Sequence, residues 1–127
     1  MQNPNFGQAY RAAAIENSPP LKIVRMLYHG CLRFLDQATA AHAAGDLPKF
    51  NHFVGRAESI VSELRTSLDS QQAPELAAQL EGIYLFTFAR LIDAIADSSI
   101  EPIEEAREVL VVLLDAWNQL ELKGAVR

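Results

Sequence analysis

The feature that most constrains this chain is an apolar spacing of three and four residues. It recurs in four stretches, each fenced by turn-forming residues. In the first stretch Leu21, Val24, Tyr28, Cys31, Leu35 and Ala38 follow one another at alternating steps of three and four. An α-helix returns to the same face every 3.6 residues, so this spacing lays one apolar stripe along a helix; a strand, with period two, does not fit it. Ser18-Pro19-Pro20 supplies a capping serine and a proline at the first helical position, and Gly45 supplies a stop. The spacing therefore predicts a helix over about 19–44.

The other three stretches read the same way. Asp46-Leu47-Pro48 restarts the chain ahead of Phe50, Phe53, Ala57, Ile60 and Leu64, with Val54, Val61 and Leu68 beside them, a helix over about 47–69. Gly55 inside it lowers helix propensity by about 1 kcal/mol relative to Ala. A third helix, over about 74–96, carries Leu76, Leu80, Ile83, Thr87 and Leu91 and closes at Asp97-Ser98-Ser99. Pro102 opens a fourth, over about 102–123, with Ile103, Ala106, Leu110, Leu113, Trp117 and Leu120 on a heptad seam before Gly124. Residues 109–114 have the composition of a buried strand. Their flanks are at helical spacing with no turn signal near, so they belong to the helix. Four helices of similar length joined by short connections imply an all-α fold, an antiparallel (up-down) four-helix bundle over residues 18–124. Residues 1–17, polar and broken by Asn3-Pro4 and Phe6-Gly7, read as a flexible N-terminal arm.

Composition sets the limits of function. The 127 residues suit one domain, and 50% hydrophobic against 21% charged residues is a globular balance. The net charge is −5, unevenly placed: seven basic and six acidic residues up to residue 70, four and ten after it. Phosphate contacts need clustered Lys and Arg, so nucleic acid is not an expected partner. No run of about twenty apolar residues exists to span a membrane. The opening MQNPNFGQAY lacks the basic and apolar regions of a signal peptide, so the expected location is cytoplasmic. A lone Cys31 excludes an intrachain disulfide and a multi-cysteine zinc site.

Catalytic signals are missing. No Glu is followed by His three positions later, and His29, His42 and His52 are not spaced as helical ligands, so no metal is expected. Cys31 lies on the apolar stripe as a small core residue. Glu101, Glu104, Glu105 and Glu108 crowd a helix start, where the helix dipole favours them. Trp117, on the seam, belongs to the core. No phosphate loop, nucleophile elbow or dinucleotide fingerprint occurs. The expectation is a protein that is no enzyme and needs no cofactor. Two segments exceed what a bundle requires: residues 83–86 with 88–89, and residues 109–114, are apolar around nearly the whole helix circumference. Either these helices are covered on several sides, or the bundle carries an apolar groove on its outside.

At this point the chain resembles a known family. Asn17-Ser18-Pro19-Pro20-Leu21-Lys22-Ile23-Val24-Arg25-Met26-Leu27-Tyr28-His29-Gly30 is similar to the opening helix of the flagellar secretion chaperone FliS family, with Tyr10 eight residues before the serine. The likeness continues through Arg56, Ile60, Leu64, Ser67-Leu68 and Asp69, then Glu75-Leu76-Ala77, Leu80, Tyr84 and Leu91, and ends at Val109-Leu110, Leu113-Leu114 and Ala116-Trp117. His29 stands where the family commonly has Asp, Cys31 where it commonly has Ala, and Phe86 where it often has a second Tyr.

The resemblance implies a cytoplasmic bundle that binds the disordered C-terminal segment of flagellin, blocks premature polymerisation and keeps the subunit competent for flagellar type III export. It implies flagellin as partner, with a component of the export gate as a further expectation, and a monomer or weak homodimer. The client-binding candidates are Tyr10 and Ile15 in the arm; Leu21, Val24, Met26, Leu27 and Tyr28 on the first helix; Tyr84, Leu85, Phe86, Phe88 and Arg90 on the third; and Val111, Val112 and Leu114 on the fourth. Arg90, one turn from Phe86, is a candidate to pair with a client carboxylate. Several of the first-helix residues must also close the core. The competing reading is a homodimeric helical-bundle interaction module whose surplus apolar face is self-complementary.

Overall fold

The computed structural model describes residues 21–68, 71 and 74–126, without the side chains of residue 21 and of residues 120–126. The segment read as an arm, with Tyr10 and Ile15, and the Ser18-Pro19-Pro20 helix start lie outside the described residues. Four helices account for nearly all of the rest: α1 (Leu21–Ala43), α2 (Leu47–Thr66), α3 (Pro74–Asp97) and α4 (Glu101–Val126). The fold is an all-α helical bundle.

Local chemistry fixes the helix ends. Gly45 takes φ 73°, and its N–H donates to the His42 carbonyl at 3.0 Å while the Asp46 N–H donates to Ala41 at 2.9 Å. This pair of bonds is a Schellman stop, which needs a left-handed residue that glycine adopts without penalty. Asp46 then caps α2, its carboxylate accepting from the Lys49 N–H at 3.1 Å, with Pro48 in the first turn. The stop after α3 repeats the pattern without a glycine: Ser98 sits at φ 50°, and the Ser99 N–H reaches the Ala94 carbonyl at 3.0 Å. Two helices differ in extent from the sequence reading. α2 ends at Thr66 with Ser67 as its cap, short of 69. α4 starts one residue before Pro102 and runs past Gly124. Proline in a first turn costs nothing, because its missing N–H has no helical partner there.

Each helix packs on two neighbours, α1 on α2, α2 on α3, α3 on α4 and α4 back on α1. Side chains stitch every seam. Phe34 stacks on Phe53 between α1 and α2 at 6.3 Å, with the Arg56 guanidinium 5.4 Å from the Phe34 ring centre. Arg65 meets Glu81 between α2 and α3 at 3.1 Å, and Arg90 meets Glu105 between α3 and α4 at 2.7 Å. Arg107 of α4 grips both Asp36 oxygens on α1 at 2.8 and 3.5 Å, and that hydrogen bond and charge raise the guanidinium pKa further. These pairs are solvent-exposed and each contributes well under about 1 kcal/mol. The diagonal helices α1 and α3 run parallel and in register. Tyr28 and Tyr84 share a buried hydroxyl–hydroxyl bond of 2.6 Å across the core, and His42 bonds the Ser98 carbonyl at 2.9 Å, both pairs 56 residues apart.

The core carries Val24, Tyr28, Cys31 and Leu35 from α1, Phe50, Val54, Ala57, Val61 and Leu64 from α2, Leu80, Tyr84, Thr87 and Leu91 from α3, and Ile103, Ala106, Leu110, Leu114 and Trp117 from α4. Thr87 satisfies its hydroxyl on the Ile83 carbonyl at 2.8 Å. Burial pushes the Cys31 thiol up to about 12, so it is an inert core residue.

Four expected core positions move to the flank. Val54 and Val61 are central in α2 while Phe53 and Ile60 lie half-buried. Tyr84 replaces Ile83 at the centre of α3, and Leu114 replaces Leu113 at the centre of α4. Neighbours on a helix differ by only 100°, so where the two adjoining helices sit decides which one is central.

Candidate functional site

The sequence places more apolar side chains on α3 and α4 than a single core face can absorb, and the structure puts part of the excess into a groove between these helices. Ile83 and Phe86 from α3 and Val109, Val112 and Leu113 from α4 line it, with Gly82 on its α3 side and Gln79 and Glu108 at its edges. Its volume is about 600 Å³. Ile83 and Leu113, the residues displaced from the core centre, form the deeper walls. Phe86 is 49% exposed and Val112 64% exposed, so both stand open to solvent. A Cβ added at Gly82 would meet nothing within 4 Å, so glycine leaves this wall low and open.

The electrostatics are simple. Arg90 is paired in the free protein with Asp93 at 2.8 Å and Glu105 at 2.7 Å. Glu108 has no ion-pair partner among the described residues and leaves one carboxylate at the edge of an otherwise apolar trough. Such a trough can take an amphipathic helix or an extended apolar segment. Among the described residues, no group of three His, Cys, Asp or Glu side chains could hold a metal, and no helix is long and apolar enough to cross a membrane.

The candidates named from the sequence divide into several sets. Phe86 and Val112 line the groove. Met26, Leu85 and Val111 are exposed elsewhere, and Leu27, Phe88 and Arg90 are half-buried. Val24, Tyr28, Tyr84 and Leu114 are core residues, 1%, 0%, 0% and 8% exposed. Tyr10, Ile15 and the Leu21 side chain lie outside the described residues. The sequence reading missed Gln79, Gly82, Glu108 and Val109 as site residues, and it had placed Ile83 and Leu113 in the core. The signal that could have found the apolar members was angular: Ile83, Phe86, Val109, Val112 and Leu113 occupy the two flanks that α3 and α4 turn toward each other.

Fold and groove together define a class, that of all-α bundles with an open apolar groove between two neighbouring helices. The comparison with known proteins narrows it. The family described as "Flagellar protein FliS" matches over residues 1–124, and the chain belongs to that family of flagellar secretion chaperones. It is 32% identical over 120 residues to the flagellar secretion chaperone FliS of Campylobacter jejuni, covering 94% of each chain. It is 29% identical over 119 residues to that of Bacillus subtilis, covering 94% of this chain and 86% of the relative. It is 28% identical over 113 residues to the flagellar secretion chaperone FliSB of Pseudomonas aeruginosa, covering 89% and 90%.

Proposed function

We propose that this protein binds the C-terminal segment of flagellin in the cytoplasm, prevents its premature polymerisation and holds it competent for flagellar type III export. Family membership supplies the context, and the observation that carries the reading is the open apolar groove between α3 and α4. A disordered segment that folds on binding must offset an ordering cost of about 2–5 kcal/mol. Burying apolar surface at about 25 cal/mol per Å² is the way to do so, which calls for a continuous apolar track. Phe86 and Val112 are the side chains that such a segment would cover first. Binding of this kind needs no bond chemistry, in keeping with a chaperone and not an enzyme.

The test is calorimetric titration of a flagellin C-terminal peptide into the purified chain at two temperatures. The expected result is a one-to-one complex with a negative heat-capacity change, the mark of apolar burial. Phe86→Ala and Val112→Ala each weaken it tenfold or more, about 1.4 kcal/mol, while unfolding of the free protein barely changes because both side chains are exposed. Full affinity in both variants would remove the groove from the reading. No binding at either temperature would remove flagellin.

A further inference from the structure

The groove between α3 and α4 is charged at one point only. Among its lining residues Glu108 is the one that ionises, and Gln79 is the other polar side chain. The two stand at opposite ends. Arg90 of α3 meets Glu105 of α4 and the helices run antiparallel, so Phe86 lies level with Val109 and Ile83 with Val112. Glu108 therefore closes the Phe86 end and Gln79 the other, about 12 Å or a little over two helical turns apart along the groove.

Among the described residues no cation answers Glu108. Arg90, one turn from Phe86, is paired with Asp93 at 2.8 Å and Glu105 at 2.7 Å. Arg107, next to Glu108 in the chain, holds Asp36 on the opposite neighbour α1 at 2.8 Å. In the free protein Glu108 is exposed and water solvates it. An apolar segment lying over Val109 and Val112 strips part of that water, and a carboxylate left there without a partner opposes binding. A cation on the segment removes that penalty, and a second acid adds repulsion. One rim charge thus discriminates between segments of equal apolar content.

We infer that Glu108 is the specificity residue of this groove. It selects an apolar segment that carries a Lys or Arg one turn from its apolar residues, and it fixes the direction of that segment by holding the cation at the Phe86 end. The inference deepens the flagellin reading and rests on the groove being the docking site. Its length limits the occupant too. Two turns of helix present roughly two or three large side chains to one face, at steps of three and four. These pack on Ile83, Phe86, Val109 and Val112, and the cation follows at the next step, beside Glu108.

Two probes test this by titration into the full chain. One is a flagellin C-terminal peptide. The other is a pair of designed helical peptides with the same apolar face, differing only in Lys or Glu one turn from it. The parent binds the Lys peptide more tightly than the Glu peptide, and Glu108→Lys reverses the order. Glu108→Gln weakens the Lys peptide and the flagellin peptide about fivefold, the upper range for an exposed pair, and added salt shrinks the difference. The position is exposed, so melting curves stay as the parent's. A nitroxide at the lysine end of the designed peptide broadens the amide signals of Phe86 and Val109 more than that of Gln79. The inference is overturned by equal binding of the Lys and Glu peptides, by no binding of either, by an order that Glu108→Lys leaves unchanged, or by broadening strongest at Gln79. Failure of the flagellin reading looks different: the flagellin peptide does not bind while the Lys peptide is still preferred to the Glu peptide.

Discussion

Gly82→Ala is expected to strengthen the fold and weaken the client complex, two effects of opposite sign from one methyl group. Gly82 is the ninth residue of the 24-residue α3, too far from either end for capping to matter. Its φ is not positive, since the left-handed residues are Gly45 and Ser98. Alanine therefore enters without backbone strain, and its Cβ meets nothing within 4 Å. The gain is the propensity difference in a helix interior, about 0.8–1 kcal/mol. For a chain of this size that raises Tm by about 3–5 °C. The same methyl projects at the edge of the groove. If a client packs there in van der Waals contact it must shift, and a tenfold loss of affinity corresponds to about 1.4 kcal/mol. Gly55→Ala is the matched control: it is the ninth residue of α2, its Cβ also meets nothing within 4 Å, and it is not among the groove residues. Denaturant unfolding and peptide titration of both variants, at concentrations where the chain is monomeric, separate the two effects. Both should be stabilised and only Gly82→Ala should bind more weakly. A destabilised Gly82→Ala would refute the open-space reasoning, and equal affinities would show that the client does not contact that wall.

Two further outcomes follow from particular residues. Ser98 holds φ 50° in the stop after α3, a left-handed conformation that costs a non-glycine residue about 1 kcal/mol. Ser98→Gly should stabilise the protein by several tenths of a kcal/mol, after allowing for glycine's greater freedom in the unfolded chain, and Ser98→Val should destabilise it; chemical denaturation reads both. The Cys31 thiol is raised from 9.0 to about 12 by burial, so between those values the folded state keeps a proton that the unfolded state has released. Its contribution is full below pH 9 and falls above it, by roughly 1.4 kcal/mol per pH unit. Unfolding at pH 8 and pH 10 should show a smaller alkaline loss in Cys31→Ala than in the parent, and identical losses would contradict the assignment.

The sequence by itself determined the four helices, since stripes at steps of three and four between Gly45, Asp46, the Pro74 region and Pro102 leave no other regular structure. It also determined that α3 and α4 carry more apolar surface than one core consumes, because side chains on opposite sides of a helix cannot share a core. The opening block around Ser18–Gly30 pointed to the family. Only the tertiary structure decided how that surplus divides. Tyr84 and Leu114 went inward while Ile83 and Leu113 went to the groove, although each pair differs by one residue and 100° of arc. Arg90 was claimed by Asp93 and Glu105, one of which lies on the next helix. The physical reason is the same in each case. A helix period is written in one segment of chain, whereas the direction of the nearest neighbour is set by the packing of all four helices together, and no local spacing records it.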